Sequence, residues 1–309
     1  MNGYVGLTDF DWYSRLCRDQ PWEEVNFWRP SDKKHFRAIA PGAPFFFRLK
    51  APHKAIGGFG YFARQDTAPV WEAWEAFGEA NGARDLREFA AKIGGYSLAA
   101  KRSGEDHWIG CLIISLPVFF PPDEWVREPA GWSGNIVQGK TIDLTEPDGA
   151  RVLAECVERA SGRTALTLEI IEAETNSRYG SAAVIRPRLG QGAFSMAVRD
   201  AYAGACAVTT EHSRPVLEAA HIRPYADGGL HQVENGLLLR RDLHRLFDRG
   251  YVTVAPDHRL EVSGRLREEW QNGRAYYELH GREIALPARA GDRPDAAALR
   301  WHNDECFRG

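Results

Sequence analysis

Apolar residues along this chain come in short runs broken by glycine, proline and asparagine, with stretches at helical spacing between them. Residues 9–17 have the spacing of a short helix, with Thr8 or Asp9 able to cap it. Residues 24–28 (EVNFW) read as a strand, ended by Arg29-Pro30. Residues 44–50 (PFFFRLK) lack polar alternation, which predicts a strand partly buried on both faces; Pro52 stops it. Residues 55–63 (AIGGFGYFA) read as a strand whose glycines imply bends or close backbone approach. Residues 70–81 and 85–93 have helical spacing, and residues 108–115 (WIGCLIIS) are the strongest buried strand of this half.

Further on, residues 150–160 have helical spacing after a turn at Pro147-Asp148-Gly149. Residues 166–171 read as a strand, 172–181 as a polar loop and 193–202 as a helix. A short apolar strand follows at 216–222, then a turn at Asp227-Gly228-Gly229, a second turn at Asn235-Gly236 and an apolar run at 237–239. Asp242 can cap a helix carrying His244, Leu246, Phe247 and Asp248. Strands at 251–254, 260–263 and 281–286, with helices at 265–270 and 296–306, are expected to brace this unit, which is too small to bury a core alone.

The order strand, loop, strand, helix carries a His on the first strand, an Asn between and a His on the helix. The stretch EAAHIRPYADGGLHQVENGLLLRRDLHRLFDRG resembles the HNH nuclease motif, in which a ββα unit grips one divalent metal against a scissile phosphate. The matching residues are His221, Asn235 and His244. The resemblance implies that His221 is the base, since imidazole titrates near neutral pH. Asn235, whose amide both donates and accepts, would fix the loop and through it the His221 ring. His244 would be the metal ligand. Many HNH nucleases have an acid or a His just before the base as a second ligand; here Ala220 stands there and cannot ligate. Glu218 shares its strand face and has the longer arm, so it is the expected second ligand, with Asp248 at i+4 from His244 as its rival. His231 sits in the loop and is expected to be exposed rather than catalytic.

At 309 residues, with 44% hydrophobic and 26% charged positions, the chain has the size and composition of two globular domains. A formal net charge of -3 is not that of a generally basic nucleic-acid binder, so binding would rest on local patches. Arg223, Arg240, Arg241 and Arg245 are the best placed phosphate contacts. Arg186 and Arg188 lie in a stretch that helps hold DNA in the resembling nucleases; an ordinary domain junction is the alternative here. The five cysteines are far apart and form no CxxC pair, which predicts no structural zinc. Isolated cysteines, no secretion signal at the start and no apolar run of roughly 18 residues point to a reducing cytoplasm and no membrane span.

The N-terminal segments NFWRPS, PFFFRLKAP and IGGFGYFA, with their glycines and aromatics, look like the PUA-like superfamily of EVE, YTH, ASCH and SRA modules. That resemblance implies a pocket for a flipped or modified base, built from stacking rings and a few donors and acceptors. Trp28, Phe46, Phe59, Tyr61 and Trp74 are the candidate rings, with Asn26, Ser31 and Lys50 as polar partners. The expected architecture is α+β: a PUA-like mixed β-barrel domain over 1–147, a connector over 148–185 and an HNH ββα-metal nuclease domain over 186–309. The expected activity is that of a modification-dependent restriction endonuclease using one Mg²⁺ or Mn²⁺ ion on double-stranded DNA carrying a modified cytosine. One site cuts one strand, so a double-strand break calls for a homodimer. The rival readings are a nuclease whose N-terminal half is a protein-interaction module, and a non-catalytic nucleic-acid binder.

Overall fold

The computed structural model describes residues 1–33, 35–161 and 189–309. The expected strand at 166–171, the loop at 172–181 and both Arg186 and Arg188 lie outside the described residues. The chain divides into two compact units, Met1–Gly190 and Gln191–Gly309. Among the described residues no helix is long and apolar enough to cross a membrane.

The first unit is built on a seven-stranded sheet. Its strands are β1 (Asn2–Thr8), β2 (Glu24–Arg29), β3 (Pro44–Leu49), β4 (Ala55–Pro69), β5 (Trp108–Phe119), β6 (Val126–Arg127) and β7 (Gly139–Asp143), in the order β2-β5-β4-β3-β1-β7 with β6 on β4. Among the described residues β1 and β3 run parallel and the other neighbours antiparallel. Register shifts within β4 mark bulges that bend it. The expected mixed sheet is present; closure into a barrel is not shown, since the described pairings do not join β2 to β7. Three strands escaped the sequence reading: β1, β6 and β7. β1 (NGYVGLT) and β7 (GKTID) are short and polar in part, and their identity comes from pairing with each other, Tyr4 opposite Thr141.

Both faces of β3 are covered, as its unbroken apolar run predicts. On one face Phe45 and Phe47 meet Phe27 and Trp12; Trp12 comes from helix α1 (Phe10–Arg18). On the other, Phe46, Phe59 and Tyr61 form a core with Val152, Cys156 and Ala160 of helix α5 (Pro147–Ala160). Each such buried Phe contributes about 1.5–3 kcal/mol. Residues 148–160, expected to begin the connector, lie within this unit and give Val152, Cys156 and Ala160 to its core. Between β4 and β5 lie α2 (Val70–Phe77), α3 (Leu86–Gly94) and α4 (Leu98–Ser103).

The second unit begins with helix α6 (Gln191–Ala201), followed by β8 (Leu217–His221), β9 (Gly236–Arg240) and α7 (Arg241–Asp248). A hairpin of β10 (Val252–Val254) and β11 (Leu260–Val262) follows, then α8 (Arg265–Trp270), α9 (Arg274–Tyr277) and α10 (Ala296–Glu305). One core joins Phe194, Leu217, Leu237, Leu243, Phe247 and Leu299. The strand expected over 281–286 reduces to a single bridge between Arg259 and Glu283, with Pro287 just beyond it.

Candidate active site

Strands β8 and β9 pair antiparallel, from Leu217 opposite Arg240 to His221 opposite Gly236, and α7 follows directly. Helical periodicity sorts α7 into three stripes. Leu243 and Phe247 are buried; His244 and Asp248 share the next stripe; Arg241 and Arg245 are exposed. Asp242 is not the cap expected of it. The N-cap position is Arg240, and Asp242 sits in the first turn, paired with the Arg240 guanidinium and suited to the positive end of the helix.

His221 is half-buried and lies flat on Phe194, with ring centroids 3.9 Å apart at 10°. Gly236 makes this possible. Its backbone is extended, not a turn, and an added Cβ would lie 3.0 Å from the Phe194 ring and 2.4 Å from Val198. Burial lowers the His221 pKa to about 4, and the charges of His231 and His244 push the same way. At neutral pH the ring is therefore uncharged and able to accept a proton. His221 Nε2 lies 3.0 Å from His231 Nδ1. His231 is thus half-buried in a ring pair rather than exposed, and it stacks on Tyr225 at 4.7 Å and 6°. No periodicity marks a loop His, so the sequence held no signal for this contact.

Asn235 is buried. Its Oδ1 accepts from the Arg223 backbone N–H at 2.9 Å, and its Nδ2 donates to the carbonyls of Arg223 and Leu230 at 2.9 and 3.0 Å. These bonds close the loop that leaves His221. His244 has a carboxylate on each side: Nδ1 lies 2.8 Å from Glu218 Oε2, and Nε2 lies 3.5 Å from Asp248 Oδ2. Glu218 also pairs with Arg241 at 2.8 Å. Arg223 donates through Nε to the Asp227 carbonyl at 2.7 Å and lies over the Trp301 ring.

The first unit holds a cavity of about 280 Å³. Its rings are Tyr4, Trp12, Phe27, Trp28, Phe36 and Tyr96, and its polar wall includes Asp9, Arg29, Lys50 and Gln138. Asp9 stands at the N-cap of α1 but makes no capping bond, because its carboxylate is taken by Lys50 Nζ at 2.6 Å and by the Tyr96 hydroxyl. The buried indole N–H of Trp12 has no partner among the described residues. Of the five rings expected to line a pocket, Trp28 lines this cavity. Phe46, Phe59 and Tyr61 are buried on the α5 side of the sheet, and Trp74 packs near Phe89. Among their expected polar partners, Lys50 lines the cavity. Asn26 is buried against Asn81, and Ser31 is exposed.

Residues 206–255 match the family model described as HNH endonuclease. This segment is an HNH endonuclease domain. No curated protein matches the chain. Among solved structures, the chain is similar to ASCH from Zymomonas mobilis at 11% identity, covering 48% of this chain and 93% of that one with a TM-score of 0.31. It is also similar to the modification-dependent TagI restriction endonuclease at 12% identity, covering 99% of this chain and 81% of that one with a TM-score of 0.29.

HNH nucleases use a divalent metal ion. The donor set of this HNH domain fits one, in a particular way. Glu218 and Asp248 face different nitrogens of the His244 ring, so an ion bound to either nitrogen meets only one of them. Accordingly, no three His, Cys, Asp or Glu side chains converge on one point among the described residues. Two protein donors suit Mg²⁺, which keeps several waters and takes further oxygens from a phosphate. Among the arginines of the domain, Arg245 is exposed without an ion-pair partner among the described residues, whereas Arg240 and Arg241 are engaged by Asp242 and Glu218.

Proposed function

We propose that the chain is a modification-dependent DNA endonuclease, in which the HNH domain hydrolyses phosphodiester bonds and the N-terminal unit receives a modified base, a cytosine derivative, in its aromatic cavity. The observation that carries the nuclease half is the docking of α7 on β8: Glu218, on the strand that carries His221, lies 2.8 Å through Oε2 from Nδ1 of His244 on the helix. It occurs inside a ββα unit that matches the HNH family model.

In this reading His221 takes the proton of the attacking water. His244, through Nε2, and Asp248 hold the ion, with Mg²⁺ or Mn²⁺ as the species. Glu218 bonds the other nitrogen and orients the ring, in place of the direct ligation that its strand position suggests. When bound, the ion stabilises the charge that develops on the phosphate and the leaving oxygen. Asn235 holds the loop. Arg223, Arg241 and Arg245 meet phosphates, and two chains act together for a double-strand break.

The base half rests on the cavity. A volume of about 280 Å³ lies at the small end for ligand sites, which suits one base rather than a longer ligand. Its rings can stack on a base, and the Trp12 N–H and the Asp9–Lys50–Tyr96 group offer donors and acceptors to its edge.

The deciding experiment incubates the protein with DNAs that differ only in cytosine modification, with Mg²⁺ or Mn²⁺. Cutting confined to modified DNA is expected, with discrimination lost in Tyr96→Ala and cutting lost in His221→Ala. Equal cutting of plain and modified DNA removes the base-reading role and leaves the nuclease. Binding without cleavage under either ion, with affinity unchanged in His221→Ala, removes the nuclease.

A further inference from the structure

The loop between β8 and β9 carries a second imidazole that the roles above do not use. His231 Nδ1 and His221 Nε2 are 3.0 Å apart, and the rings meet at 60° with centroids 5.0 Å apart. Each ring is held flat by its own aromatic, His221 by Phe194 and His231 by Tyr225. His221 Nδ1 has no hydrogen-bond partner among the described residues.

A bond between two imidazole nitrogens needs one N–H and one lone pair. A neutral ring carries a single N–H, so the shared bond and the open nitrogen of His221 cannot both be protonated. If the shared proton sat on His231 Nδ1, His221 would be protonated on Nδ1 and its open nitrogen could not act as a base. If it sits on His221 Nε2, the open Nδ1 holds a lone pair. We propose that His231 is a positioning residue for the nuclease reaction: its Nδ1 lone pair holds His221 in the Nε2–H tautomer and leaves His221 Nδ1 open to the attacking water. This rests on the nuclease reading above.

The step balances as follows. Water gives a proton to His221 Nδ1 while its oxygen forms a bond to phosphorus. The bond from phosphorus to the leaving oxygen breaks, and that oxygen departs with the electron pair and takes up a proton from solvent. The imidazolium left on His221 keeps its Nε2–H on His231, and a charged donor strengthens that bond as the charge forms. Each ring is braced by stacking, so little reorientation accompanies the step.

The test uses the full chain, Mn²⁺ and plasmid DNA shown to be a substrate, together with NMR of ¹⁵N-labelled histidines. Wild-type His221 is expected to show a protonated Nε2 and an unprotonated Nδ1. His231→Leu, similar in bulk but without an acceptor, is expected to slow single-turnover cleavage roughly 10- to 100-fold. DNA affinity should be unchanged, and His221 should become a mixture of tautomers. His231→Asn, whose side-chain oxygen can accept from Nε2, is expected to recover most of the rate and the single tautomer. Equal rates in wild type and His231→Leu, or a wild-type His221 protonated on Nδ1, overturn the inference. A wild type that cuts no DNA is a different outcome and removes the nuclease reading itself.

Discussion

Asn235 and Arg223 exchange a pair of hydrogen bonds: the Arg223 backbone N–H donates to Asn235 Oδ1, and Asn235 Nδ2 donates to the Arg223 carbonyl, each at 2.9 Å. The exchange ties the residue just before β9 to the residue two past His221. Asn235→Ala leaves three part-buried backbone groups, the Arg223 N–H and the carbonyls of Arg223 and Leu230, without their side-chain partner, at about 1–3 kcal/mol for each that water does not reach. The expected result is a lower Tm and a larger loss of cleavage, because the loop that sets the His221 ring loosens. Asn235→Asp keeps the acceptor but loses both donated bonds, and should fall between. Thermal melting and single-turnover cleavage on the same samples check this.

The two carboxylates beside His244 should separate by metal dependence. Asp248→Ala removes a proposed ligand, so the Mn²⁺ concentration for half-maximal cleavage should rise steeply and the rate at saturation should fall. Glu218→Gln keeps an oxygen that can accept from His244 Nδ1 and should shift the titration less. Glu218→Ala, which removes the orienting bond, should weaken the metal response by roughly 10- to 100-fold. A Glu218→Gln variant that loses cleavage while Asp248→Ala keeps it would reverse the two roles.

Gly236 should tolerate no side chain. Its strand geometry is ordinary, but a Cβ would meet Val198 at 2.4 Å and the Phe194 ring at 3.0 Å. Gly236→Ala should cost about 1–3 kcal/mol through overpacking. It should also move Phe194 off the His221 face, so cleavage should fall further than the Tm loss alone explains. A variant with wild-type cleavage would show that the stacking on His221 is dispensable.

Acid should loosen the second unit through His302. This ring is buried against Phe247, receives the Thr253 hydroxyl at Nδ1 and donates from Nε2 to the Phe247 carbonyl, and burial lowers its pKa to about 4. The unfolded chain binds a proton near the usual 6.5, the folded chain only near 4. Between those values the unfolded state holds more protons, so stability rises with pH across the window and is lost as pH falls through it. His221 acts in the same direction. Tm should therefore drop from pH 7 to pH 4.5, and the drop should be smaller in His302→Gln. An unchanged pH slope in that variant would mean that His302 does not carry the effect.

Local pattern carried the ββα unit. Its strand, loop, strand and helix are near neighbours along the chain, and each residue type announces its element. His221, Asn235 and His244 were readable for that reason, as was the two-sided burial of Phe45, Phe46 and Phe47. The cavity was not readable. Along β3 and β4 alternate aromatics point to opposite faces, and nothing local says that α5 covers Phe46, Phe59 and Tyr61 while Tyr4, Trp28 and Tyr96 surround a space. Tyr4 was missed because β1 becomes a strand only by pairing with β3 and β7.

By itself, then, the order of residues determined which side chains could do chemistry and on which short elements they ride, because helix and strand periods are local properties. Only the tertiary structure decided which of them meet: His231 on His221 rather than in solvent, Phe194 beneath that ring, and Glu218 and Asp248 on opposite nitrogens of His244. Except for Asp248, one helical turn from His244, those contacts join residues on different elements or in the loop between them, and they depend on how the elements pack against one another.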